Sequence, residues 1–169
     1  NGIDVGTYSA PSLMDIDDDG DLDLVCGRKD GTLAYFENFG TTSTADFVER
    51  AGLDNPFDGI DVGDHSTPFL VDIDADGDAD LIVGELDGTL TTFENRGTEL
   101  LSSYSQTPDL LSPTDGIDVG EFSTPSLVDV DGDGDLDLIV GHREGELVYF
   151  RNDGNLNALG QNGIGIEAD

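Results

Sequence analysis

The sequence predicts an all-β chain of three tandem, four-stranded antiparallel repeats of 57 residues, packed like the blades of a propeller. Three observations carry that expectation. Gly-Ile-Asp-Val-Gly begins at Gly2, Gly59 and Gly116, a constant spacing of 57 residues, and self-similarity at such a period marks a supersecondary unit repeated in space. An acidic loop of the form D-x-D-x-D-G-x-x-D recurs at the same spacing, from Asp15 to Asp23, Asp72 to Asp80 and Asp129 to Asp137. No segment sustains a helical period, whereas short β-branched and aromatic runs flank every loop.

Taken in order, each unit reads as four extended segments. Pro11 to Asp15, Pro68 to Asp72 and Pro125 to Asp129 lead into the loops, and Leu22 to Gly27, Ala79 to Gly84 and Leu136 to Gly141 leave them. A turn follows at Lys29-Asp-Gly31, Leu86-Asp-Gly88 and Arg143-Glu-Gly145, and then a strand-favouring run at Thr32 to Asn38, Thr89 to Asn95 and Glu146 to Asn152. The fourth segment is less regular. Phe47 to Arg50 reads as an edge strand, whereas Leu100 to Leu111 is more polar and contains Pro108. Gly, Ser, Thr and Asn dominate the joining stretches, which read as loops.

The unit boundaries fall at 1–58, 59–115 and 116–169. A fourth Gly-Ile-Asp-Val-Gly would lie beyond the last residue, and the tail has Gly163-Ile-Gly-Ile-Glu ten residues early, so the third unit is expected to end in a truncated or capping tail. The propeller-like arrangement is therefore expected to be partial or to be completed by other copies.

Composition narrows the function. The 169 residues hold 38 acidic and 6 basic side chains, a formal net charge of -32. Such acidity often signals disorder, but here it is concentrated in the three loops and elsewhere alternates with apolar residues. A folded, cation-dependent protein is the better reading. Nucleic acid is excluded as a partner, because phosphate contacts need basic patches. The chain begins at Asn1, with no signal peptide and no apolar run long enough for membrane insertion, and reads as a processed or excised piece. Its single cysteine, Cys26, aligns with Val83 and Val140 and is expected in the core.

The loops carry the chemistry. A hard divalent cation such as calcium takes six to eight oxygens, and carboxylates at the first, third and fifth positions converge on one point only where the chain turns sharply. Glycine at the sixth position, Gly20, Gly77 or Gly134, permits that turn. The seventh residue can add a backbone carbonyl and the ninth a carboxylate. An EF-hand would place Glu at the twelfth position, but Cys26, Val83 and Val140 stand there. The cation is expected in a strand-to-strand turn.

The loop, followed by D-L-I-V-G, a D-G-T-L turn and an aromatic strand ending in Glu-Asn, resembles the FG-GAP and VCBS repeats. Those repeats build the calcium-binding β-propellers of integrin α-subunits, some fungal lectins and many large bacterial surface proteins. The likeness is to the bacterial version, since Ser9-Ala-Pro11, Ser66-Thr-Pro68 and Ser123-Thr-Pro125 stand where integrins carry their Phe-Gly and Gly-Ala-Pro signatures. The resemblance implies three Ca2+ sites, one per repeat. Asp15, Asp17, Asp19 and Asp23 would ligate through side chains with the Asp21 carbonyl. Asp72, Asp74, Asp76 and Asp80 with the Asp78 carbonyl form the second set, and Asp129, Asp131, Asp133 and Asp137 with the Asp135 carbonyl the third.

The expected function is a calcium-stabilised, extracellular or cell-surface module with a structural or adhesive role. Its expected partners are other copies of itself or adjacent repeats of a longer chain, and in addition glycans or surface proteins. Catalysis is not expected: His65 and His142 occupy different places in their repeats, and no nucleophile, phosphate-loop or zinc motif is present. A lectin is the alternative, with Tyr8, Tyr35, Tyr104, Phe122 and Tyr149 as sugar platforms. An accessory domain of a polysaccharide-active enzyme ranks below it.

Overall fold

In the computed structural model, which describes residues 2–97, 102–108, 112–152 and 154, the chain forms eleven strands in three antiparallel sheets. The first sheet is β1 (Ala10–Met14), β2 (Asp23–Gly27), β3 (Leu33–Asn38) and β4 (Phe47–Arg50), paired in chain order. The second is β5 (Thr67–Val71), β6 (Asp80–Gly84), β7 (Leu90–Asn95) and β8 (Tyr104–Gln106). The third is β9 (Thr124–Val128), β10 (Asp137–Gly141) and β11 (Leu147–Phe150). The one helical turn among the described residues, Gly52–Asp54, is 3-10, and no described helix is long and apolar enough to cross a membrane.

The all-β expectation holds, with one difference in strand count: the third sheet has three strands among the described residues. The rest of that unit, including the expected capping tail from residue 155 onward, lies outside them. In the second unit the irregular fourth segment shortens to three residues, and Pro108, which cannot donate to a ladder, follows two residues later.

Register repeats with sequence. Leu13 faces Leu24, Leu70 faces Leu81 and Leu127 faces Leu138, while Val25, Ile82 and Ile139 oppose Tyr35, Thr92 and Tyr149. Because alternate residues point to opposite faces, the middle strand of the second sheet buries two apolar sets. Leu81 and Val83 join Leu70 and Phe93 against Val25, Leu33 and Tyr35 of the first sheet, with Phe57 among them. Ile82 and Leu90 join Leu127, Leu138, Val140 and Phe150 of the third. Leu81, Ile82 and Val83 have no exposed surface, and each contributes about 1.5–3 kcal/mol by burial. Cys26 is buried with Ala34 and Phe36, as its alignment with valines required.

A second joint holds neighbouring sheets together. The buried hydroxyl of Ser66 accepts the Arg28 N–H at 2.9 Å and donates to the Thr32 carbonyl at 2.8 Å, across the boundary between first and second sheets. Ser123 repeats this between second and third, accepting from Glu85 N–H at 2.9 Å and donating to the Thr89 carbonyl at 2.7 Å. Approach is this close because glycine faces the serine. A Cβ on Gly27 would meet the Ser66 carbonyl oxygen at 1.9 Å, and one on Gly84 the Ser123 oxygen at 2.3 Å. The outer halves of the clasp are open among the described residues: Ser9 is exposed, and a Cβ on Gly141 would meet only the Leu147 side chain.

Replacing Ser123 with alanine leaves a part-buried N–H and a part-buried carbonyl without their partner, and is expected to lower stability by about 1 kcal/mol. Ser9→Ala, at the exposed copy of the same position, is expected to stay within about 0.5 kcal/mol. Urea unfolding of both variants checks the contrast, and equal losses would remove the clasp from the account.

Candidate metal centre

Each acidic loop connects the first two strands of its sheet, and its backbone is wound around its own carboxylates. In the first loop Asp15 Oδ2 accepts the Gly20 N–H at 2.9 Å, Asp17 Oδ1 the Asp19 N–H at 3.3 Å, and Asp19 Oδ1 the Asp21 N–H at 2.9 Å. The second loop repeats these bonds with Asp72 to Gly77, Asp74 to Asp76 and Asp76 to Asp78. The third does so with Asp129 to Gly134, Asp131 to Asp133 and Asp133 to Asp135. The sixth-position glycines have φ of +93, +100 and +99°, the left-handed region that glycine enters without strain. The fourth positions are left-handed too: Asp18 at 59°, Ala75 at 61° and Gly132 at 79°. Sequence reasoning missed that second reversal, for which Gly132 was the one visible signal.

Carboxylate oxygens within 4.8 Å of one another come from Asp15, Asp17 and Asp19 in the first loop, Asp72, Asp74 and Asp80 in the second, and Asp129, Asp131 and Asp137 in the third. The first and third positions therefore converge in all three loops, joined by the fifth in one and by the ninth in two. The seventh residues, Asp21, Asp78 and Asp135, enter these networks through their N–H groups. An all-carboxylate donor set suits a hard divalent cation. Asp15 fits one in particular, because its Oδ1 is buried and without a hydrogen-bond partner, and a buried acceptor left so is costly unless another positive group meets it.

The ninth-position aspartates have a second duty that the motif does not reveal. Asp23, Asp80 and Asp137 are buried, and each ties its loop to the third strand of its sheet. Asp23 accepts the Asn38 N–H at 2.8 Å, the Tyr35 hydroxyl at 3.0 Å and the Ile16 N–H at 3.3 Å. Asp137 accepts from Asn152, Tyr149 and Val130 in the same way. Asp80 accepts from Asn95 and Ile73 N–H, but Thr92 stands where the other units have tyrosine.

Acidity follows the number of partners. Burial, opposed by its two N–H donors, pushes Asp80 up to about 6, with Asp74 and Asp76 adding repulsion. Burial also raises Asp23. Asp137 is lowered, since its burial is outweighed by the Asn152 and Val130 N–H groups, the Tyr149 hydroxyl and the Arg151 charge. Asp17 and Asp74 are raised by desolvation and by the neighbouring Asp19 and Asp76 carboxylates. Without metal, the first and second loops thus resist carrying their full charge.

The aromatic residues divide. Tyr35 is buried against Phe57, and Tyr104 stacks on Phe57 at 4.6 Å while its hydroxyl donates to the Ala79 carbonyl. Tyr149 is held by Asp137. Tyr8, His65 and Phe122, equivalent positions of the three units, form a row with ring centroids 4.3 and 5.0 Å apart. All three are left-handed, at φ near 60°, a conformation that costs a bulky residue about 1–2 kcal/mol. Their shared 57-residue spacing was the signal for this row; the backbone reversal that assembles it had none.

A carboxyl with a raised folded pKa binds protons more tightly in the native state, so it adds stability at low pH that is lost as pH rises through its folded value. With Asp80 ionising near 6 against an ordinary 3.8, the metal-free protein is expected to gain stability as pH falls from about 6 to about 4. Urea midpoints in chelator across that range check the sign, and Asp80→Asn is expected to flatten the slope.

The FG-GAP-like repeat family model matches residues 72–140, from the first carboxylate of the second loop through the third loop and into the strand that leaves it. No curated protein matches the chain. Residues 72–140 thus carry the FG-GAP-like repeat.

Proposed function

We propose that this chain is a calcium-stabilised, extracellular structural or adhesive repeat module, whose sheets continue into further repeats or other copies. The observation that carries the reading is the threefold recurrence of converging carboxylates at one place in each sheet. Two such charges about 5 Å apart repel by roughly 3 kcal/mol at an effective dielectric near 20. A divalent cation converts that repulsion into cohesion. Extracellular calcium modules bind in the range of about 0.1 to 1 mM, which matches a folding cofactor filled outside cells.

The ends support the proposed partners. The exposed side of the third sheet presents Val128 and Leu147, at the positions that Met14 and Leu33 occupy where the first sheet packs on the second. The first sheet's exposed Leu13 matches Leu70 across the same interface. Among the described residues the serine and glycine halves of the clasp at these ends are also open, which supports head-to-tail association, a geometry that closes rings or extends filaments. A structural role is further supported by Tyr35, Tyr104 and Tyr149, committed to packing or to hydrogen bonds within the protein. A glycan array in calcium is expected to be blank, and a reproducible sugar hit would favour the lectin instead.

Each filled site adds about 1.4 kcal/mol at ten times its Kd, so three contribute on the order of 4 kcal/mol, a large part of an ordinary stability of about 5 to 15 kcal/mol. Thermal melts are expected to show a higher midpoint in calcium than in EDTA, with part of that difference lost in Asp74→Ala. Coincident midpoints in calcium and EDTA would overturn the metal reading.

A further inference from the structure

The loops share their ligand positions but differ in the side chain that overlooks them. The residue before the anchoring asparagine, which ends the third strand in two units and follows it in the third, is Glu37 in the first unit, Glu94 in the second and Arg151 in the third. That place is fixed against the loop, because the following asparagine donates its N–H to the ninth-position aspartate at 2.8 Å in every unit. The Arg151 guanidinium lies 2.8 Å from Asp131 and 3.8 Å from Asp133. Glu37 and Glu94 turn instead to Arg50 and Arg96, at 2.9 and 2.7 Å.

We propose that Arg151 is a built-in competitor for the cation of the third loop, holding that loop together without metal and making it the weakest of the three sites. This rests on the calcium reading above and grades it. A divalent ion entering the third loop has to displace the guanidinium from Asp131 or sit beside its charge, and either lowers affinity. In the first two loops the same place holds a glutamate, each already in an ion pair with an arginine, and not a cation set against the loop carboxylates. The side chain of Arg151 is half exposed, so solvent and salt weaken the effect. A charge about 6 Å from a divalent ion in such surroundings changes affinity on the order of tenfold. As calcium falls, the third loop empties first, yet its ion pair with Arg151 remains as a substitute.

Calorimetric titration of the intact chain with calcium tests this. Two ions are expected to bind together and the third about tenfold more weakly, with the weak step reduced by added salt. Arg151→Glu is expected to bring the third step level with the others. Glu94→Arg is expected to create a second weak step, which keeps the test decisive should the first variant fold poorly. Three indistinguishable steps in the native chain, or a weak step unchanged in Arg151→Glu, would overturn the competitor role and leave calcium binding intact. Absence of any calcium binding would overturn both.

Discussion

Each sheet depends on one buried carboxylate. Asp23, Asp80 and Asp137 accept N–H groups from the start of their own loop and from the asparagine fifteen residues on, so one side chain fixes the loop to the first and third strands together. The cost of burying such a charge sets what else each unit must provide. In the first and third units a tyrosine hydroxyl shares the load, and in the third Arg151 adds a charge. The second unit has neither, and its aspartate is the one pushed up to about 6.

This carboxylate would link a bound cation to the fold. A cation bound by the first, third and fifth positions would act on a loop already wound by its own N–H groups, and through the ninth position on the middle of the sheet. The sheets in turn are joined by the serine clasps and by faces in which Leu81, Ile82 and Val83 admit no solvent. Cohesion supplied at the loop would therefore pass along a chain of packed elements to the neighbouring sheets.

Much of this was legible because it is local or periodic. The 57-residue spacing marked the units, the aspartates and glycine marked the loops, and the Leu-Ile-Val runs marked β2, β6 and β10. Other features depend on distant contacts. Ser66 and Ser123 stood out in the sequence as part of a motif, but their hydroxyls act on residues 34 and 38 positions earlier, a distance no local pattern encodes. The left-handed backbone at Asp18, Ala75, Tyr8, His65 and Phe122 was hidden for another reason: glycine announces positive φ, and these residues do not. Arg151 was readable as a break in the repeat, but its meaning required knowing that the strand end overlooks the loop.

The central claim is that each loop is one calcium site. Equilibrium dialysis at a calcium concentration high enough to saturate the weakest loop, with the bound metal counted per chain, tests it most directly. The account predicts three ions per chain, falling to two in Asp74→Ala; a chain that retains none after dialysis would contradict it.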